Sequence, residues 1–307
     1  PTGKDNPELL YNLKSSHGHN MSIVNGIGRI GYMKGGGSAL WKDENIADSI
    51  TARAIDFIKE RAEEPFFIYF AANDVHVPRF PHPRFRGSSG MGLRGDAIVQ
   101  FDWSVGRLVT ALRECGILDN TLIILTSDNG PVTDDGYADR ADELLGTHKP
   151  AGELRGGKYS AFEGGARVPF IVSWPAVVPC GGVCGGLVSQ VDFLPTMAGV
   201  EAPADSLIDG TDCLAAWLGD DGCSRKYVIT QASNHTLSLR TATWKYIEPK
   251  GGPAIVPWGP QIETGYSLEP QLFDMRSGEY DNVADKFPAV LNDLRLFLQT
   301  EKDKKIE

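Results

Sequence analysis

No stretch of this chain approaches the ~18 consecutive apolar residues that a membrane-spanning helix needs. Basic residues are in deficit, with 30 Lys and Arg against 40 Asp and Glu and a formal net charge of −10. That balance argues against nucleic acid or an anionic membrane as a bulk partner. It leaves room for an anionic small substrate, because a local cluster of cations outweighs a negative surface at short range. Cysteine is sparse, five residues with no CxxC pair, so nothing points to a thiolate zinc site or a dense disulfide framework. Cys180 with Cys184, and Cys213 with Cys223, are each spaced to close a small loop, and free thiols are at least as good a reading. There is no initiator methionine, signal peptide, internal repeat or low-complexity tract, so location is not legible from targeting.

What is present is the composition of a folded protein. The chain has 307 residues, 41% hydrophobic and 23% charged, enough for one large α/β domain and a smaller one. Asn20-Met-Ser and Asn234-His-Thr match the glycosylation pattern, which matters only in a eukaryotic secretory context.

Residues 1–44 are rich in Gly, Asn, Lys and Ser and read as an extended, irregular segment without a strand. From Asp43 the positions Ile46, Ile50, Ala54, Phe57 and Ile58 keep helical spacing, and Pro65 stops the helix. The apolar run 66–71 reads as a short strand buried on both faces. A second amphipathic helix is expected over 96–115, with Ile98, Phe101, Val105, Leu108, Val109 and Leu112 on one face. Strands follow over 121–126, the first of them fully buried, and over 168–174, separated by a polar loop, and 187–200 reads as helix. Strands alternating with helices imply an α/β fold with a mostly parallel, doubly wound sheet over 1–224. From 225 to 307 the texture changes to short strands at 227–230, 237–241, 245–247 and 271–274, closed by a helix over 288–302. That predicts a small antiparallel α+β subdomain. A parallel sheet needs covered faces, yet few strands precede residue 66, so the chain reads as the later part of a larger domain.

Two blocks carry the chemistry. Thr126-Ser-Asp-Asn-Gly130 ends an apolar run and delivers Asp128 and Asn129 to a strand's carboxyl end, where open α/β sheets collect ligands. Arg155-Gly-Gly-Lys158 sets two cations among glycines before the next apolar run. Taken alone, Asp-Asn-Gly is a turn signal and a loop lysine is usually solvated. Together, a hard-oxygen pair and a basic loop suit an anion held on a metal ion.

Four blocks in order strengthen that reading. They are Pro65-Phe-Phe-Ile-Tyr-Phe-Ala-Ala-Asn-Asp-Val-His-Val-Pro78, the block at 126–130, Gly146-Thr-His-Lys-Pro-Ala-Gly152, and Arg155-Gly-Gly-Lys with Glu163-Gly-Gly-Ala-Arg-Val-Pro169. With Leu239-Arg-Thr, Trp244-Lys-Tyr-Ile and Leu272-Phe-Asp-Met, they resemble the sulfatases of the alkaline-phosphatase superfamily. The nearest type is the bacterial arylsulfatase-like enzymes that act on sulfated glycans.

The resemblance implies an alkaline-phosphatase-like fold and hydrolysis of a sulfate ester on a small molecule or glycan. It also implies a divalent cation, usually Ca²⁺, bound by an N-terminal Asp-Asp pair and by Asp128 and Asn129. His76 matches the histidine that contacts sulfate and assists proton transfer. Lys158 matches the lysine that binds sulfate and the bridging oxygen. His148 and Arg155 lie in the loop that faces the sugar in similar enzymes, which makes them substrate contacts. His82 reads as a rim or surface residue, Asp134-Asp135 as a pocket edge or a turn, and Glu163 with Arg167 as a structural ion pair. Bacterial relatives of this kind imply a periplasmic or secreted location.

One departure stands out. Such enzymes make their formylglycine nucleophile from Cys or Ser within Cys/Ser-x-Pro-x-Arg, and this chain contains no such motif. Ser173-Trp-Pro-Ala-Val177 comes nearest, but it lacks the Arg and follows the metal block. The N-terminal Asp-Asp and Lys…His pairs are missing too. The expectation is a longer native protein whose absent segment carries the formylglycine, with this portion inactive alone. The alternatives are a phosphodiester or phosphonate hydrolase of the same superfamily, and a non-catalytic sulfated-glycan binding relative.

Overall fold

Asn25 and Gly26 both take positive φ, 49° and 68°, as a type I′ turn requires. They join β1 (Ser22–Val24) to β2 (Ile27–Arg29) in an antiparallel hairpin. The first 44 residues therefore do contain strands, and the Asn-Gly pair was their signal. The computed structural model describes residues 1–33, 35–199, 209–220, 222 and 224–304. Its chain falls into two units, Pro1–Thr121 with Val132–Pro150 and Pro257–Pro260, and Leu122–Pro131 with Ala151–Val256 and Gln261–Glu307.

In the first unit, α1 (Ile46–Glu60) packs against α2 (Gly92–Glu114). α1 buries Ala47, Thr51 and Ile58 and leaves Phe57 exposed, a stripe shifted from the expected one. α2 departs further: besides Ala97, Ala111 and Leu112 it buries Arg94, Asp96, Gln100 and Ser104. Its inner face is largely polar because neighbouring loops donate to it. Asp96 accepts from the Gly87 and Ser89 amides, and Gln100 bridges the His82 amide and Asp74. The run 66–71 takes no regular secondary structure, no strand pairs with it among the described residues, and Phe67 and Tyr69 are 73% and 80% exposed. The expected doubly buried strand is thus corrected: apolar composition makes a strand only where a neighbour completes the ladder.

In the second unit, β3 (Ile123–Thr126) pairs antiparallel with β4 (Phe170–Ser173), Ile123 opposite Ser173 and Thr126 opposite Phe170. The α/β class stands, but no two strands pair in parallel among the described residues. The chain returns from β3 to β4 through a long loop whose only α-helix is the single turn α3 (Glu163–Ala166), whereas a parallel step needs a packed crossover. β3 is also only half-buried, not fully buried as its apolar run suggested. The helix expected over 187–200 shrinks to α4 (Phe193–Ala198), preceded by a Ser189–Asp192 capping box and closed by Gly199 in the left-handed region, with residue 200 outside the described residues. α5 (Leu214–Trp217) packs Trp217 against Phe170 and Phe193.

Strands β5 (Tyr227–Gln231), β6 (Leu237–Thr241), β7 (Trp244–Ile247) and β8 (Gln271–Asp274) form an antiparallel sheet in that order, followed by α6 (Pro288–Lys302). Alternation sorts its two faces. Leu239, Tyr246 and Leu272 form one core cluster with Leu298 and Leu294 of α6. Ile247 and Phe273 form another with Ala161 and Phe162 of the loop that bears Lys158.

Cys115, Cys180 and Cys213 are free thiols, so no Cys180–Cys184 bridge forms, and Cys223 lies outside the described residues. Burial, then the Asp192 charge, pushes the buried Cys213 thiol up to about 12, which keeps it protonated and unreactive. No described helix is long and apolar enough to cross a membrane.

Candidate anion and metal site

The turn after β3 is tied within itself. Asn129 N–H donates to Asp128 Oδ1 at 2.9 Å, Asn129 Nδ2 donates to Gly130 O at 2.9 Å, and Ser127 Oγ donates to Asn129 O at 3.1 Å. Asp128 Oδ2 and Asn129 Oδ1 are the hard oxygens left for a ligand. Gly130 then passes so close to α3 that an added Cβ would lie 1.7 Å from Gly164 O, and its N–H bonds Gly165 O at 2.9 Å. The next residue holds the basic loop: Lys158 N–H donates to Pro131 O at 2.9 Å, and a Cβ on Gly157 would lie 2.7 Å from the same oxygen. Glycine at 130 and 157 is thus required by backbone approach. Lys158 is anchored three residues from the acidic turn, with its ammonium 5.2 Å from the Tyr159 ring centre.

Arg155 serves this loop from beneath. Its Nε and Nη2 form a fork with the Glu263 carboxylate at 2.8 and 2.7 Å, and Nη1 donates to Glu279 O at 2.8 Å. The guanidinium also stacks 4.0 Å from the Phe162 ring centre. Its hydrogen bonds hold the Glu263 carboxyl below the usual carboxylate range. Every nitrogen of Arg155 is engaged within the protein, an arrangement that braces the loop.

Glu163 is buried. Its expected partner Arg167 sits 3.7 Å away and is 62% exposed, the loosest of its contacts. Lys245 Nζ lies 3.0 Å from Glu163 Oε1 and 2.9 Å from Glu279 Oε1, the side chains of Lys245 and Glu279 being 2–3% exposed and that of Glu163 9%, and Arg240 approaches Glu163 to 3.5 Å. Burial opposes ionisation of Glu163, yet Lys245, Arg240 and Arg167 together bring its carboxyl below the usual range. Burial prevails at Glu279 and pushes it up. Lys245, Arg240 and Glu279 escaped sequence reasoning because strand lysines read as solvated and these partners lie far along the chain.

His76 and His148 belong to the first unit, and both are exposed. His76 Nδ1 donates to Val77 O at 2.7 Å, which assigns its proton in the neutral ring to that nitrogen. His148 is held by its backbone to Leu145 O at 3.1 Å. His82 is half-buried and accepts from the Arg84 amide at 3.3 Å. Asp134 accepts from the Gly136 amide at 3.2 Å, a turn contact. The residue that sequence reasoning missed here is Arg79, 2% exposed. It reaches Asp139 Oδ2 and Thr133 O at 2.8 Å and Val132 O at 2.9 Å.

Asp74, two residues before His76, is half-buried and accepts from Gln100 Nε2 at 2.8 Å, and desolvation raises its carboxyl above the usual range against that one hydrogen bond. Because the folded state holds the proton more tightly, the group's contribution is lost as pH rises from the unfolded pKa through the folded one. Asp74→Asn is therefore expected to raise Tm at neutral pH and to have no effect in acid below the ordinary carboxylate range. Thermal denaturation at the two pH values checks this.

A turn of hard oxygens and a glycine-framed lysine thus stand at one strand end. Comparison with known proteins identifies the family. The sulfatase family pattern matches residues 4–200. An N-acetylgalactosamine-6-O-sulfatase of Bacteroides thetaiotaomicron is 50% identical, over 98% of this chain and 60% of its own length. The pig N-acetylgalactosamine-6-sulfatase is 38% identical over 57% of this chain and 33% of its own. A solved structure concerned with glycosaminoglycan metabolism in Bacteroides thetaiotaomicron superposes with a TM-score of 0.94 at 49% identity, over 99% of this chain and 64% of that one. A Pseudoalteromonas sulfatase gives 0.70 at 27% identity, over 89% and 56%. The chain belongs to the sulfatase family. It spans about three fifths of the length of its Bacteroides relative.

Proposed function

We propose that this chain supplies the later half of the active site of a carbohydrate sulfatase that removes sulfate from position 6 of an N-acetylgalactosamine unit. The observation that carries this is the Lys158–Pro131 bond, which anchors a lysine beside the Asp128–Asn129 turn. The sugar comes from the 50% identical Bacteroides relative. Secretion to the periplasm or beyond suits a polymeric glycan substrate.

Asp128 and Asn129 fit calcium in chemistry, as a carboxylate and an amide oxygen on one rigid turn, and they fit it incompletely in number. Ca²⁺ takes ~6–8 oxygens, and no group of three or more Asp, Glu, His or Cys gathers for a metal among the described residues. Held by Asp128 and Asn129, calcium would polarise sulfate oxygens and offset their charge. Lys158 stabilises the charge that develops on the departing sugar oxygen. The family resemblance assigns to His76 the proton that this oxygen takes up and to His148 a contact with the sugar, while Arg155 keeps the Lys158 loop in place. The family's formylglycine would supply the nucleophile from a Cys/Ser-x-Pro-x-Arg segment, a motif this sequence does not contain.

The test is turnover. This chain alone is expected to hydrolyse no sulfate ester. Joined in one polypeptide to a segment with that motif, it is expected to release sulfate from 6-sulfated N-acetylgalactosamine and to leave the 6-phosphate intact. There Lys158→Ala should lower kcat by ~10²-fold or more. Preferential phosphate release would establish the superfamily's phosphoesterase reading instead. Tight sulfated-sugar binding without turnover would establish the binding-module reading.

A further inference from the structure

We propose that Lys245 and Glu279, supplied by the C-terminal part of the chain, are positioning residues that set the spacing between the Asp128–Asn129 turn and Lys158. The proposal deepens the reading above and rests on it for the roles of those three residues.

The connection runs through three consecutive residues. Glu163 receives Lys245 Nζ at 3.0 Å on its carboxylate and gives its N–H to Glu279 Oε2 at 2.6 Å. Gly164 N–H bonds Arg155 O at 2.8 Å, at the head of the Lys158 loop. Gly165 O receives the N–H of Gly130, at the end of the acidic turn. The segment 163–165 therefore touches both halves of the site through backbone alone, and its glycines have no side chain with which to hold themselves. What fixes it is the ion cluster at its first residue. Glu279 grips both ends of the loop, accepting from Glu163 N–H on its carboxylate and from Arg155 Nη1 on its carbonyl at 2.8 Å.

The sheet explains why a lysine stands at 245. Lys245 lies directly opposite Arg240 in the β6–β7 ladder, two cations that would repel across strands. The buried Lys245 and the half-buried Arg240 are offset by the carboxylates of Glu163 and Glu279. A hydrophobic pair would pack the sheet as well, but it would leave the amide of Glu163 and the direction of the glycine turn unspecified. The cluster thus uses burial to hold one backbone segment in one place.

A residue that merely stabilised the fold would affect all backbone bonds alike, and this provides the test. Hydrogen exchange of the Gly130 amide is followed in the isotopically labelled 307-residue chain, together with amide shifts of the Lys158 loop on titration with sodium sulfate. Lys245→Met is compared with Leu272→Ala, a core change on the opposite face of the sheet, at conditions of matched Tm deficit. Lys245→Met is expected to accelerate Gly130 exchange at least ~10-fold beyond the Leu272→Ala control and to weaken the sulfate-induced shifts. Lys245→Arg should restore most of both. If Lys245→Met does not fold, Glu279→Gln, which keeps the side-chain volume, is expected to shift Gly130 exchange in the same direction. Gly130 exchange that follows Tm equally in all variants, or that is unchanged by Lys245→Met and Glu279→Gln, overturns the proposal. Absence of sulfate shifts in the unmutated chain counts against the sulfatase reading, while Gly130 exchange still decides the positioning claim.

Discussion

Arg79→Ala is expected to cost about 3–5 kcal/mol of stability, because it strands a buried carboxylate. Arg79 and Asp139 are each 2% exposed at the side chain and pair at 2.8 Å. The guanidinium also serves the carbonyls of Val75, Val132 and Thr133, so alanine removes four bonds and exposes no compensating surface. Water cannot readily reach the orphaned groups, and each carries its own desolvation penalty. Arg94 moderates the loss: burial first, and the Arg79 charge second, push it down to about 10, so it stays charged at neutral pH and keeps one cation near Asp139 when Arg79 is removed. Arg79 lies three residues beyond His76, so the same change should free the His76 loop. Urea denaturation of Arg79→Ala, Asp139→Ala and the double variant measures this. The double variant should cost clearly less than the sum of the singles, and a single-variant loss under ~1 kcal/mol would show the pair to be idle.

Gly130→Ala is expected to be comparably damaging for a steric reason. The methyl carbon would lie 1.7 Å from Gly164 O and 2.8 Å from Gly164 C, both backbone atoms that no rotamer change can remove. Either the turn or α3 must move, and the Gly130–Gly165 bond breaks with it. Overpacking costs typically ~1–3 kcal/mol where side chains can yield, so a backbone clash belongs at or above the top of that range. The functional effect should exceed the thermal one, since the displaced residues carry Asp128 and Asn129. Gly146→Ala is the control: that glycine has φ of 59° and open space at its Cβ, so its cost is confined to local strain. Tm and calcium titration of both variants separate the two outcomes.

The parts of the fold that were legible in the sequence are those where one local pattern decides the outcome. The four C-terminal strands follow alternation and turn residues, and α6 follows a single apolar stripe entered through Pro288. Asp128, Asn129 and Lys158 stand out in the sequence because glycines and a strand end frame them, and the Lys158–Pro131 bond that links their loops is what the structure adds to that proposal. The remainder depends on distant partners. The inner face of α2 is polar because loops at 74, 82 and 87–89 bond to it, which no helical period reveals. The run 66–71 looked like a buried strand because composition reports apolarity and not the presence of a neighbour. Arg155 looked like a ligand contact, and its engagement by Glu263 lies 108 positions away. Lys245 gave no local sign of the two carboxylates that enclose it.

The most direct measurement is a titration of the labelled chain with calcium chloride and then sodium sulfate, read residue by residue. Calcium is expected to give saturable shifts at the Asp128, Asn129 and Gly130 amides, at an affinity no tighter than ~10⁻⁴ M for so partial a ligand set. Sulfate should then shift the Lys158 loop, and Asp128→Asn should abolish the calcium response. Submicromolar calcium binding, or saturable shifts confined to other residues, would contradict the assignment of this turn and this lysine to one anion-on-metal site.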